Sequence, residues 1–167
     1  PVAISMGETT IKTLKGSKTL PIPLGTYGNF SFVQAPPKTK KTFFISLLAS
    51  VYLGNKNKFG GELRGHRNNK CLIHFDTEQG KFHAQRVFRR VVDMNQEQDL
   101  GCYHTFGLRT VGFKHRVEFI EYYLKEKIEE GKVGLVVIDG IADLVADVNN
   151  LEQSNHIAQK LMEWSQK

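Results

Sequence analysis

Apolar and polar positions alternate along this chain in two rhythms. From Asn29 onward, short apolar runs exchange with longer stretches in which apolar residues recur every three or four positions. The first rhythm marks strands and the second marks amphipathic helices. Strands are expected at residues 29–34 (NFSFVQ), 70–76 (KCLIHFD), 101–106 and 133–139 (VGLVVID). Helices are expected at 41–53 (apolar stripe Phe44, Leu47, Leu48, Val51), 81–94 (Phe82, Val87, Val91, Met94), 114–130 (Val117, Ile120, Tyr123, Leu124, Ile128) and 151–167. VGLVVID is apolar without interruption, the pattern of a strand covered on both faces. Residues 1–28 are rich in Thr, Lys, Gly and Pro and read as an extended lead-in with room for one short strand. Residues 55–69 (NKNKFGGELRGHRNN) read as a long mobile loop.

Regular exchange of strand and helix predicts a parallel sheet covered by helices, with right-handed crossovers. Ligands of such sheets sit at the carboxyl ends of the strands. The loops after Gln34, Asp76, Phe106 and Asp139 are therefore expected to converge on one edge.

Composition narrows the class. A chain of 167 residues that is 40% apolar and 24% charged fits one domain with a real core and argues against wholesale disorder. Lys plus Arg exceeds Asp plus Glu by 23 to 17, a net charge of +6 that favours phosphate-bearing partners. No apolar run approaches the roughly 18–20 residues that span a bilayer, and the first residues show no basic segment followed by an apolar one. Cys71 and Cys102 are too few for a disulfide scaffold and are expected to be reduced core residues of a cytoplasmic protein. His66, His74, His83, His104, His115 and His156 show no paired metal spacing, so zinc is not expected.

Three segments carry candidate chemistry. Residues 35–42 read APPKTKKT. A phosphate-binding loop is Gly, four residues, Gly, Lys, then Ser or Thr. Lys41 and Thr42 match its last two positions, Ala35 and Lys40 replace the two glycines, and Pro36, Pro37, Lys38 and Thr39 complete the loop. The chemistry needs backbone N–H groups at a helix start, a lysine for the phosphates and a hydroxyl for the metal. A left-handed backbone at position 40 would cost a lysine about 1 kcal/mol. The charges of Lys38 and Lys40 would offset this when polyphosphate is bound. The same segment also reads as a basic loop that starts a core helix. Asp139, ending VGLVVID, stands where a carboxylate holds the Mg²⁺ of a bound nucleotide, or caps a buried strand. Asp76, Thr77 and Glu78 end the strand before the second helix. Glu78 there can polarise water for attack on a phosphate, or it marks the start of that helix.

Taken together, these segments resemble the RecA-like ATPase core, in the branch that includes KaiC, RadA and the hexameric helicase domains of RepA/DnaB type. The likeness runs from about Gly28 to the C-terminus. FSFVQAPPKTKKTFFISLLA resembles the Walker A strand, loop and helix, LIHFDTEQ the segment with the catalytic glutamate, and GLVVIDGIADL the Walker B strand. Within that branch the chain is most similar to ATPases of mobile elements such as mobilizable transposons, in which a basic residue commonly replaces the second Walker A glycine.

The resemblance implies a RecA-like P-loop NTPase fold, a mostly parallel sheet flanked by helices. It implies Lys41 on the β- and γ-phosphates of ATP, Thr42 and Asp139 on Mg²⁺, and Glu78 as activator of the attacking water. It further implies a homo-oligomer, such as a hexamer, that acts on DNA in mobilisation, replication or recombination. Arg86 stands where related proteins often carry an arginine, but reads first as a surface residue. Arg109, in the GLRT loop, is placed to touch nucleotide or DNA, or is solvated. Lys56, Lys58, Arg64, His66 and Arg67 either track nucleic acid or belong to a solvated loop. RecA-like cores continue with further strands where this chain stops, which implies a core truncated at the C-terminus. Two rival functions remain open at this point: a KaiC-like regulatory ATPase acting on protein partners, and a nucleotide- or DNA-binding module without turnover.

Overall fold

The computed structural model describes the chain except residues 37, 55–56, 96–100 and 167, and describes only the backbone of residues 57–59. The elements in order are β1 (Val2–Thr13), β2 (Gly16–Thr26), α1 (Lys41–Gly54), β3 (Asn57–Lys58), β4 (Leu63–Gly65), β5 (Cys71–Asp76), α2 (Lys81–Asp93), β6 (Tyr103–Gly107), α3 (Phe113–Glu129), β7 (Val133–Asp139) and α4 (Leu151–Ser165). A 3-10 turn at Ile141–Leu144 joins β7 to the segment before α4.

The expected RecA-like core, one mostly parallel sheet, is not what the chain forms. The strands make two sheets: an antiparallel one ordered β2-β1-β4-β3 and a parallel one of three strands ordered β6-β5-β7. Two segments account for the difference. Residues 29–34 alternate like a strand but form no ladder, and Phe30 and Phe32 stay 41% and 63% exposed. Their rings meet each other edge to face at 5.4 Å instead of a core. Without a fourth strand beside it, β7 is a sheet edge, and every residue of VGLVVID is half-buried rather than covered on both faces. Residues 1–28, in turn, hold two strands of 12 and 11 residues where an extended lead-in was expected.

Strand parity divides the body into layers. Leu72 on β5 and Leu135 and Val137 on β7 pack with Ala49, Val51, Tyr52 and Leu53 of α1, and with Val91 of α2. The alternate residues Ile73 and Phe75, with Val136 and Ile138, pack with Ile120 and Leu124 of α3, Leu144 of the 3-10 turn and Ile157 of α4. Helices thus cover both faces of the parallel sheet, as the crossovers require. The second face is aromatic: Phe75 stacks on Phe106 at 5.4 Å, and Phe106 meets Tyr123 at 4.5 Å. Because side chains alternate along a strand, Asp76 and Asp139 lie on the α1 face with Leu72 and Val137.

Residues 63–67 are built into the fold and are not a mobile loop. β4 pairs with β1 through Ile4, Ser5 and Met6, and His66 N–H donates to Ala3 O at 2.8 Å. Gly65 lies so close to α1 that a Cβ there would stand 2.2 Å from Val51 O. Tyr27 Oη reaches His66 O at 2.7 Å and Tyr52 Oη at 3.0 Å, fixing the base of the hairpin to the body. Among the described residues no helix is long and apolar enough to cross a membrane.

Candidate active site

The N-terminus of α1 and the carboxyl ends of β5 and β7 form the candidate site. Lys40 opens α1, its carbonyl accepting from Phe43 N–H at 2.9 Å and Phe44 N–H at 3.2 Å. Lys38 and Lys40 both hold left-handed backbones, with φ of 65° and 62°. Each costs a residue with a Cβ about 1–2 kcal/mol, so the loop carries strain. Thr39 Oγ1 donates to Pro36 O at 2.6 Å and closes the turn. Turns that mix right- and left-handed residues gather backbone N–H groups into concave anion-binding surfaces, and a helix start adds its own free N–H groups. Lys38, Thr39 and Lys40 are exposed, Ala35, Lys41 and Thr42 half-buried, and Pro37 lies outside the described residues.

Across from this loop stand two carboxylates. Asp76 and Asp139 are register partners on β5 and β7. Burial raises the pKa of Asp139, and a hydrogen bond from the Thr42 side chain and the charge of Lys41 oppose that rise. Thr42, Lys41 and Asp139 are thus brought together. Asp76 is fully buried and also raised, first by burial and then by the charge of Asp139. Its Oδ1 accepts from Glu78 N–H at 3.1 Å and Gln79 N–H at 2.8 Å, which holds the pKa down in part. Asp76 Oδ2 and Asp139 Oδ2 are both buried without a hydrogen-bond partner. A buried carboxylate oxygen left unpaired is costly, and a bound cation is one partner that satisfies it. The donors present, two carboxylates and a hydroxyl, are hard oxygens suited to Mg²⁺, which binds through one or two carboxylates, waters and substrate phosphates. Among the described residues no group of three or more His, Cys, Asp or Glu gathers that could hold a metal ion by itself.

The loops after the strands are stapled to one another. Thr77 N–H donates to Asp139 O at 3.0 Å, and Thr77 Oγ1 to Gly140 O at 2.7 Å. Gly140 has φ 99°, and a Cβ there would lie 2.5 Å from Thr77 Oγ1 and 3.0 Å from Glu78 Cβ, so only glycine fits. Glu78 stands close beside Gly140, with its side chain exposed. Arg109, also exposed, donates from Nη1 to Glu78 O at 2.8 Å. Arg116, which the sequence reading passed over, organises the edge. Its Nε reaches Val111 O at 2.6 Å, its Nη2 Arg109 O at 2.7 Å and its Nη1 Asp143 O at 2.8 Å. No periodicity or motif marks that role; Arg116 reads as one more charge on an amphipathic helix.

Other sequence candidates lie elsewhere. Arg86 sits over Phe82, 5.8 Å from its ring centre. Arg90 lies 3.7 Å over Phe43 and donates to Ser46 Oγ at 3.2 Å, tying α2 to the first turns of α1. His66 and Arg67 belong to the fold: His66 Nε2 pairs with Ser5 Oγ at 2.8 Å, and Arg67 O accepts from Lys70 N–H at 3.0 Å. Arg64 is exposed, while Lys56 and the side chain of Lys58 lie outside the described residues.

Comparison with protein-family models, with curated proteins and with solved structures finds no match to this chain. A basic, left-handed turn at a helix start adjoins two carboxylates with buried, unpartnered oxygens, and a lysine and a hydroxyl act on one of them. That arrangement is suited to hold a phosphate chain and a divalent cation side by side.

Proposed function

We propose that this chain binds ATP with Mg²⁺ and hydrolyses it to ADP and phosphate. The observation that carries the reading is the meeting of Thr42 and Lys41, at the start of α1, with the half-buried Asp139 at the end of β7, whose Oδ2 is buried. The N–H groups of the turn and the ammonium of Lys41 hold the β- and γ-phosphates. Lys38 and Lys40 add positive charge at the mouth. Thr42 and Asp139, with Asp76 beside them, are the residues that would hold Mg²⁺, which supplies charge neutralisation to the phosphates when bound.

In turnover the oxygen of a water forms a bond to the γ-phosphorus, and the bond from that phosphorus to the β–γ bridging oxygen breaks. Glu78 takes the proton that the water loses, and ADP leaves with the bridging oxygen. The Arg109 bond to its carbonyl and the neighbouring bond from Thr77 Oγ1 to Gly140 O hold the backbone that presents this carboxylate. The net charge of +6 supports DNA as the partner on which the enzyme acts, and the free thiols of Cys71 and Cys102 support a reducing compartment such as the cytoplasm.

The test is phosphate release by Glu78→Gln. This change keeps size and hydrogen bonding but removes the base. ATP binding should stay near normal while hydrolysis falls roughly 100-fold or more. An active Glu78→Gln protein would move the base elsewhere, with Asp76 the next candidate.

A further inference from the structure

The β1–β2 hairpin has a distal half that the nucleotide site does not use. Every residue from 8 to 19 is exposed, so both faces of the ribbon stand clear of the body. Its pairs run from Thr9–Leu20 through Thr10–Thr19, Ile11–Lys18 and Lys12–Ser17 to Thr13–Gly16. Five pairs at about 3.4 Å per residue give an arm roughly 15 Å long. A free two-stranded ribbon contributes little stability of its own, so its length calls for another explanation.

The residues of the arm are of one kind. Lys12, Lys15 and Lys18 are its only charged side chains between Thr9 and Leu20. Most of the others are hydroxyls: Thr9, Thr10, Thr13, Ser17 and Thr19. Paired residues share a face, so one face presents Thr10, Lys12, Ser17 and Thr19 together. Thr10 Oγ1 and Thr19 Oγ1 lie 3.1 Å apart across it. At the turn, Leu14 is wholly exposed, at 108% of its reference area.

We propose that this arm lies in a groove of duplex DNA. Three observations select that occupant. A two-stranded ribbon has the width that the major groove, about 12 Å across, admits. Lysines and Ser/Thr hydroxyls are the side chains that contact phosphate oxygens along the groove walls. Leu14, at the tip, is placed to meet thymine methyl groups on the groove floor. A second copy of the arm is a poor occupant, because each arm carries three lysines and no acidic residue between Thr9 and Leu20 to pair with them. The edge of β2 is also interrupted by Pro21 and Pro23, which cannot donate to a new strand. The inference rests on the DNA part of the proposed function and is independent of its nucleotide part.

The experiment measures binding of a fluorescein-labelled mixed-sequence duplex by anisotropy between 50 and 200 mM salt. The proteins are wild type, the triple variant Lys12→Ala/Lys15→Ala/Lys18→Ala, and the triple Lys→Arg variant. Each lost phosphate contact lowers the salt slope by about 0.9. The alanine variant should therefore bind at least about tenfold more weakly at 50 mM salt, with a slope smaller by about 2–3. The arginine variant should restore both. Thermal melting should not change, because the three side chains are exposed, and ATP affinity should not change either. Equal binding by wild type and the alanine variant would overturn the arm while leaving DNA as a partner. No duplex binding by wild type would overturn both. Lysine-dependent binding to anionic phospholipid vesicles, with none to duplex, would overturn the proposal in favour of a membrane surface.

Discussion

Strand β5 is buried at every residue from Cys71 to Asp76, whereas β1 is exposed at every residue from Glu8 to Thr13. Both are regular strands, and the difference lies in what each does with charge. At the end of β5, burial strips water from Asp76 and its neighbour Asp139 and raises both pKa values. Two carboxylate oxygens left there without partners make a local demand for a cation. Along the hairpin, Lys12, Lys15 and Lys18 are exposed and keep their water, so their attraction for a partner is one that salt screens. A buried charge selects its ligand by desolvation and geometry, and a solvated one by sign and spacing. The fold supplies one region of each kind.

The contrast can be broken most sharply in stability. Phe75→Ala removes a buried ring from the centre of the aromatic cluster and should cost about 3–5 kcal/mol. Ile11→Ala, on the arm, should stay within about 0.5 kcal/mol. Urea denaturation of the two variants reads the difference directly. Similar losses would mean that the hairpin is as much a part of the core as β5.

Acid sharpens it next. His74 sits in β5 with Nδ1 bonded to Tyr103 Oη at 3.0 Å, and burial pushes its pKa from 6.5 down to about 4. As pH falls below 6.5 the unfolded chain takes up a proton that the folded chain refuses. The stability tied to a neutral His74 is thus whole above pH 6.5 and lost as pH falls toward 4, by about 3 kcal/mol in all. Asp76 and Asp139 work in the opposite direction. Their raised pKa values make protonation favour the folded state, so their contribution grows as pH falls. The quantity to compare is therefore the slope of stability against pH in wild type and in His74→Gln, which should lack the His74 loss between pH 6.5 and 4. Identical slopes would show that His74 protonates freely in the folded protein.

A smaller effect concerns the strained loop. Lys40→Gly removes the left-handed penalty and should raise stability by up to about 1 kcal/mol, while weakening ATP binding through the lost charge. Thermal melting with and without nucleotide separates the two. A fall in apo stability would mean that the left-handed turn is not strained.

Much of the body was legible because its residues obey a period. The helices and the strands β5, β6 and β7 lie within a residue or two of the positions that apolar spacing indicates, since each has one face or both in a core. The errors share a cause. The hairpin has no buried face beyond residue 5, so hydrophobic period could not mark it. Its signal was β-propensity, in Thr9, Thr10, Ile11 and Thr13, with a two-residue turn before Gly16. Residues 29–34 show the reverse, an alternation with no partner to pair against. At the site, Lys41, Thr42 and Asp139 were readable as a spaced motif. The pairing of Asp76 with Asp139 was not, because it depends on strand register. Nor was the left-handed turn at Lys38, since the pattern as read asked for glycine only at positions 35 and 40.

The central claim is that the turn before α1 and the carboxylates after β5 and β7 form one nucleotide site. Calorimetric titration of MgATP into wild type and Lys41→Ala, each shown to be folded by circular dichroism, tests it most directly. The account predicts saturable binding by wild type and a loss of roughly 100-fold or more in the variant, as expected when a charged phosphate contact is removed. Unchanged affinity in a folded Lys41→Ala protein would contradict it.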